Sequence, residues 1–189
     1  LAKTAKQLLG LRSTADLGLR GATQSTRRID PPFSATGGTV SAGVAPGNGY
    51  RYHLFLEPGN FEVPASAPVI VDVLVIAGGG GSGWDAAGGG GAGGVRTNTL
   101  PGNPLNITST ITMSAGTIPV VVGDGGGRST APTSPVDGET GSNGGNSSIG
   151  SPGDPYFVLA SGGGGGGGGE DNGNGGAAGG SGGGGGWRT

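Results

Sequence analysis

Val69-Ile70-Val71-Asp72-Val73-Leu74-Val75-Ile76-Ala77-Gly78-Gly79-Gly80-Gly81 is the stretch that decides the fold. Its first eight residues are nearly all β-branched or aliphatic, the composition of a central strand with both faces largely buried. Asp72 within it requires a partner or a place facing solvent. The run then passes straight into four glycines. The same layout recurs at Val122-Gly123 and at Ala160-Ser161-Gly162. Strands that each feed glycine imply a parallel or aligned arrangement, with the glycine tracts gathered at one end. Glycine chains can adopt polyproline II, with three residues per turn, about 3.1 Å rise and no internal hydrogen bonds. Without side chains, such helices can approach closely and bond backbone to backbone. The eight glycines 162–169 would span about 25 Å at that rise. The residues themselves leave a packed bundle and flexible loops both open. Packing is favoured by the recurrence of the blocks and by Trp84 and Trp187, which stand beside glycines as lids.

Outward from this stretch the chain reads as all-β. Residues 50–57 alternate, with Tyr52, Leu54 and Leu56 on one face and Arg51, His53, Phe55 and Glu57 on the other, the pattern of a strand. Pro58-Gly59-Asn60 is a turn and Phe61-Glu62-Val63 starts the return. Residues 105–113 alternate again, residues 117–122 form another strand, and residues 156–160 a short last one. Residues 128–154 are polar and rich in turn formers. The expected architecture is a small β-sandwich or β-sheet module with packed polyglycine segments, preceded by an extended N-terminal arm. Its boundaries fall at 1–33 for the basic anchoring arm, 34–49 for a linker and 50–189 for the glycine-rich β-module.

Composition limits what such a chain can be. Glycine supplies 50 of 189 residues, against a usual share of about 7%. Ordered glycine buries nothing and loses more conformational entropy than any other residue. Only 32% of the chain is hydrophobic, so a monomer is marginal. A homo-oligomer, a trimer above all, is expected to bury strand surface and pair open edges. The glycines come in blocks without the every-third-residue period of collagen. Cysteine is absent, which removes disulfides and thiolate metal sites. No apolar run reaches 18 residues, so no membrane insertion through a helix is expected, and the first ten residues lack the apolar segment of a signal peptide.

Charge divides the chain. Residues 1–30 carry Lys3, Lys6, Arg12, Arg20, Arg27 and Arg28 against Asp16 and Asp30, while the other four basic residues face ten acidic ones. A basic arm on an acidic module suits docking on an acidic partner surface. The arm has no interleaved aromatics, and phosphate attraction alone is non-specific, so no specific nucleic acid is expected. Residues 2–9 read as one or two helical turns, marginal in isolation, with Leu8, Leu9 and Leu11 as the apolar side. The phrases Leu8-Leu9-Gly10-Leu11-Arg12 and Leu17-Gly18-Leu19-Arg20 look like small plugs along an extended arm. The candidate anchor residues are therefore Leu8, Leu9, Leu11, Arg12, Leu17, Leu19, Arg20, Arg27 and Arg28. Asp30-Pro31-Pro32 ends the arm stiffly.

Tyr50-Arg51-Tyr52-His53-Leu54-Phe55-Leu56, followed by Pro58-Gly59-Asn60-Phe61-Glu62-Val63, resembles the opening of the glycine-rich domain found in many tailed-phage proteins. Val71-Asp72-Val73-Leu74-Val75-Ile76-Ala77 with its four glycines is similar to that family, as is GGGGAGGVR at residues 88–96. The likeness covers residues 50–169 and leaves the arm outside. It implies a virion structural component of the kind common in phages of marine cyanobacteria. It also implies a place on the particle surface and partners among other virion proteins, reached through residues 1–30. The appendage reading is a tail fibre or fibre adaptor displaying its module for host attachment. Alternatives are a capsid decoration or head-fibre protein, and a cellular extracellular matrix or adhesin protein. A host surface glycan is the expected attachment ligand, and Trp84, Asp85 and Trp187 are the candidate recognition residues.

Catalytic chemistry finds no foothold. Glycine motifs matched inside glycine tracts carry no information, since a Rossmann turn needs a following helix and an acidic residue about twenty positions on. A P-loop needs Gly-Lys-Ser/Thr, and the last lysine is Lys6. His53, the only histidine, reads as an ordinary surface or half-buried strand residue without a triad partner. Asp124, Asp137, Glu139 and Asp154 lie in glycine- and asparagine-rich loops without EF-hand spacing. No enzyme activity, cofactor or metal is expected.

Overall fold

The computed structural model describes residues 7–12, 35–41, 50–65, 68–107, 110–130, 139–169 and 175–187, the first segment by its backbone path and pairing. The protein is all-β. Two antiparallel sheets share one apolar core. The first sheet runs in the order β2 (Thr39–Ser41), β3 (Tyr50–Phe55), β1 (Gln7–Arg12), β5 (Val69–Ile76) and β6 (Val95–Thr97), with β7 (Ile111–Met113) also on β5. The second runs β10 (Val158–Ala160), β9 (Ser147–Ile149), β8 (Gly116–Val121) and β4 (Gly59–Val63). Between them Phe61, Met113, Ile118, Ile149 and alternate valines of β5 are fully buried. This core is the side-chain half of the molecule.

The central strand is where the sequence places it, but its burial is one-sided. Val69, Val71, Val73 and Val75 are buried, whereas Ile70 is exposed and Asp72, Leu74 and Ile76 are half-buried. Its far edge is divided: Leu74–Ile76 pair with β6 and Val69–Val71 with β7. Asn98 closes the gap between them. Its Oδ1 accepts from the Val73 amide at 2.8 Å and its Nδ2 donates to the Val71 carbonyl at 2.9 Å, so one side chain stands in for a missing strand residue.

Several expectations are corrected. Residues 7–12 form a strand inside the first sheet, so there is no helical turn at residues 7–9, and Leu8, Leu9, Leu11 and Arg12 belong to the module's sheet rather than to a free arm. The linker contributes β2, and Thr36 exchanges backbone hydrogen bonds with Glu62. Among the described residues of the alternating run 105–113 the strand is Ile111–Met113, while Leu105 and Ile107 are exposed. β9 emerges from the stretch read as turns. His53 is fully buried: its Nδ1 pairs with the Gly37 carbonyl at 2.8 Å and its ring meets Phe61 edge-on at 5.0 Å. The core face of β3 thus carries His53 and Phe55, and Leu56 beyond its end is exposed.

The glycine tracts continue the sheet hairpins. β5 runs into residues 77–84, and residues 87–94 return into β6. β8 runs into residues 122–130, and residues 139–146 return into β9. β10 runs into residues 161–169. The three outgoing tracts are mutually parallel, although the strands within each sheet pair antiparallel: the amides of Gly163, Gly166 and Gly169 donate to the carbonyls of Gly78, Gly81 and Trp84, and those of Gly126 and Ser129 to Gly79 and Ser82. The bonds recur every third residue. Ala77, Gly80 and Gly83 donate to Gly94, Gly91 and Gly88, whereas Gly78, Gly81 and Trp84 donate to Gly145, Ser142 and Glu139. Three residues per turn with all bonds between segments is the signature of packed polyproline II helices. A tract with this turn offers successive amides to different neighbours, which is why one tract can bond to several others at once.

Candidate recognition surface at the tip of the bundle

A bundle held by main chain has a free end where its tracts reverse. Residues 83–88 make one reversal, closed by the Gly83 amide on the Gly88 carbonyl at 3.1 Å. Asp85 and Ala86 both adopt positive φ, 50° and 39°. Two consecutive non-glycine residues in this region are costly. The surrounding bonds hold them. The Trp84 amide donates to Glu139, the Trp84 carbonyl accepts from Gly169, and the Ala86 carbonyl accepts from the Trp187 amide at 2.9 Å. Three other tract ends therefore converge on residues 84–86.

This convergence brings the three predicted recognition residues together. Trp84, Asp85 and Trp187, separated by a hundred residues in the chain, sit at one end of the bundle. Trp84 is 36% and Trp187 65% exposed. Neither serves as the buried lid expected from its glycine neighbours. Glu139 joins the same end, where its carboxylate accepts from the Ser129 hydroxyl at 3.4 Å. The tip thus carries two exposed tryptophans together with the exposed acids Asp85 and Glu139. In the sequence Glu139 is one of several acids in glycine- and asparagine-rich loops. Nothing local in the sequence marks it as a neighbour of Trp84, because their pairing depends on the register of two tracts 55 residues apart.

Behind the tip, three side chains complete bonds that the main chain leaves open. The Gly165 amide donates to Asn143 Oδ1 at 2.8 Å, the Gly162 amide to Asn146 Oδ1 at 2.8 Å, and the Gly123 amide to Ser147 Oγ at 2.9 Å. Asn146 is thus a structural acceptor. Asp154 closes a turn by accepting from the Ser151 amide at 2.7 Å. Among the described residues no group of three His, Asp or Glu side chains is placed to hold a metal ion, and no helix is long and apolar enough to cross a membrane. Of the candidate anchor residues, Leu17, Leu19, Arg20, Arg27 and Arg28 lie outside the described residues, as does Asp137.

Comparison with known proteins gives one match. No curated protein and no solved structure matches the chain. A family model described as a glycine-rich domain matches residues 56–189. That span takes in β4 to β10 and every glycine tract of the bundle, and it begins after β3. The chain belongs to the glycine-rich domain family.

Proposed function

We propose that this protein is a non-enzymatic structural component of a phage particle, a fibre or appendage protein that displays its glycine bundle for attachment to a host surface. The observation that carries this reading is the tip, where exposed Trp84 and Trp187 are both tied by backbone bonds to one reversal at the end of the bundle. Such a bundle holds its end residues in place without a side-chain core beneath them. Flat aromatic faces flanked by Asp85 and Glu139 suit a surface glycan, because a sugar ring offers C–H faces for stacking and hydroxyls for the carboxylates. The likeness of residues 50–63 and 71–96 to tailed-phage proteins supports placement on a virion. The remaining arm residues Leu17, Leu19, Arg20, Arg27 and Arg28 supply the contact with other virion proteins in this reading.

The test has two arms. A gold-labelled tag on the chain should appear on intact particles by electron microscopy, and its position separates a tail fibre from a capsid decoration. Its absence from purified particles sinks the virion reading and leaves a cellular matrix or adhesin protein. Particles carrying Trp84→Ala with Trp187→Ala should adsorb to host cells at least about tenfold less. Two aromatic contacts of hot-spot size exceed the about 1.4 kcal/mol that tenfold requires. Unchanged adsorption removes the attachment role.

A further inference from the structure

β1 is the first of the described strands yet lies between β3 and β5. Gln7–Arg12 pairs with Tyr50–Phe55 on one side, and Leu8–Leu11 with Val71–Leu74 on the other. Without it both neighbours would present open edges, the feature that invites an added strand. The family module begins at residue 56, so its own central strand β5 carries one edge that no described strand of that span covers. The slot between β3 and β5 is therefore built to take an incoming strand.

Its occupant is present twice. Leu9-Gly10-Leu11-Arg12 and Leu17-Gly18-Leu19-Arg20 are the same tetrapeptide. In the slot Gly10 stands opposite Tyr52 on one side and Asp72 on the other, and Gly18 would take that place if the second phrase docked in the same register. One slot and two phrases per chain leave one phrase over. The tether is also long. Residues 13–34 join Arg12 to Ala35, which is buried in the core. An extended chain of that length reaches about 70–80 Å, against about 4.8 Å between paired strands.

We propose that the β3–β5 slot is a strand-exchange site, filled in the assembled protein by a Leu-Gly-Leu-Arg phrase from a second copy of this chain. Exchange of the first phrase joins copies with no new surface, because the pairings of Gln7–Arg12 with β3 and β5 already exist within one chain. It gives the low-hydrophobic module a way to associate through backbone bonds. The inference does not depend on a place in a virion and is tested on purified protein.

The natural chain lacks cysteine, so engineered cysteines report without background. Leu9→Cys and Val73→Cys, and separately Leu8→Cys and Leu74→Cys, are opposite each other in the register. Neighbouring pairs in an antiparallel ladder alternate between wide and close spacing, so one of the two sets has the geometry for a disulfide. A Leu17→Cys chain probes the second phrase. Single-cysteine full-length chains are mixed, unfolded, refolded together and oxidised. Expected is a disulfide between two different chains, 9–73, 8–74 or 17–73, identified by mass spectrometry in a species of twice the chain mass. An out-of-register partner, Ile70→Cys, should not cross-link to Leu9→Cys. If the single-cysteine mixtures stay uncross-linked while the Leu9→Cys/Val73→Cys double variant closes only within one chain, β1 fills its own slot and the proposal fails. It fails equally if no set cross-links at all.

Discussion

The sandwich and the glycine bundle follow one another along the same hairpins, yet opposite means hold them. In the sandwich, Phe61, Met113, Ile118 and Ile149 exclude water between the sheets, and stability scales with apolar area buried. In the bundle the contacts are Cα to carbonyl, and hydrogen bonds between tracts replace the core. Each such bond is worth only about 0.5–1.5 kcal/mol net, set against the large entropy lost by ordered glycine. The bundle is stable because its bonds are many and mutually supporting, and because every tract is rooted in a strand. The sandwich thus tolerates small changes in side-chain volume, whereas the bundle's interior tolerates no side chain at all.

The sharpest way to break this contrast is to add a side chain inside the bundle. A Cβ on Gly165 would fall on the Gly141 carbonyl. Ordinary overpacking costs about 1–3 kcal/mol. Here the obstacle is main chain, and moving it also breaks the bonds of Gly141 to Gly166 and of Gly165 to Asn143. Gly165→Val should therefore lie among the exceptional losses above about 4 kcal/mol, with fast amide exchange appearing across residues 162–169. A melting temperature unchanged from wild type would show that the tract is a tether and not a packed helix.

In the sandwich the matching lesion removes a side chain. Phe61→Ala leaves a cavity between the sheets and should cost about 3–5 kcal/mol, read by thermal or denaturant unfolding. The comparison sharpens if the two variants lose different regions first. Phe61→Ala should bring down both halves together, since the tracts are rooted in the strands. Gly165→Val should leave the Trp-free sandwich protected while the tip, with Trp84 and Trp187, loses its fixed fluorescence environment. Loss of both regions together in Gly165→Val would mean that the sandwich cannot stand without the bundle.

How much of this was legible depends on which half is asked about. β5 was readable to the residue, because eight aliphatic or β-branched positions allow little else. The outgoing tracts were readable from each strand's run into glycine. Their packing was not settled by composition, since glycine serves a tether and a polyproline II bundle equally well. The return tracts and β9 were hidden because Ser147-Ser148-Ile149 has no strand composition; it is a strand because the tract before it delivers it beside β8. The helical reading of residues 2–9 fails at residues 7–9 because so short a leucine-bearing stretch fits either period, and only the edges of β3 and β5 decide. The tip residues were named from their types, while their meeting at one end rests on tract register that no local pattern encodes.

His53 tests the boundary between polar and apolar packing in the sandwich. Its Nδ1 donates to the Gly37 carbonyl as the neutral ring, and Nε2 is buried without a partner. Burial lowers its pKa, opposed by the Gly37 hydrogen bond and aided by the charge of Arg51. The unfolded chain then binds more protons than the folded one below the ordinary value of 6.5. Stability therefore falls as pH drops through 6.5 toward the lowered folded value, and this contribution is fully present above 6.5. Melting curves between pH 7.5 and pH 5 should show a drop that His53→Gln lacks. The variant will itself be less stable at neutral pH, so the slope against pH is the informative quantity, and equal slopes would mean that the ring is solvated.

The smallest expected effect lies in the bundle, on two neighbouring residues. Gly89 and Gly90 are both exposed in the return tract 87–94. Surface exposure alone would predict that both accept alanine. The period of three says otherwise, because successive Cα atoms turn by a third of a revolution and point at different neighbours. A Cβ on Gly89 meets nothing within 4 Å, whereas one on Gly90 would fall on the Gly80 carbonyl, with the Gly81 oxygen at 2.7 Å. Neither residue has the positive φ that would strain alanine by itself. Gly89→Ala keeps its carbonyl bond from the Gly184 amide and restricts the unfolded chain. It should be neutral or stabilise by about 0.4–1 kcal/mol. Gly90→Ala must displace the tract 77–84 and should destabilise clearly. Thermal melts of the two variants side by side measure the helix phase directly. If Gly90→Ala proves as harmless as Gly89→Ala, the tract does not hold the three-residue turn on which the backbone packing depends.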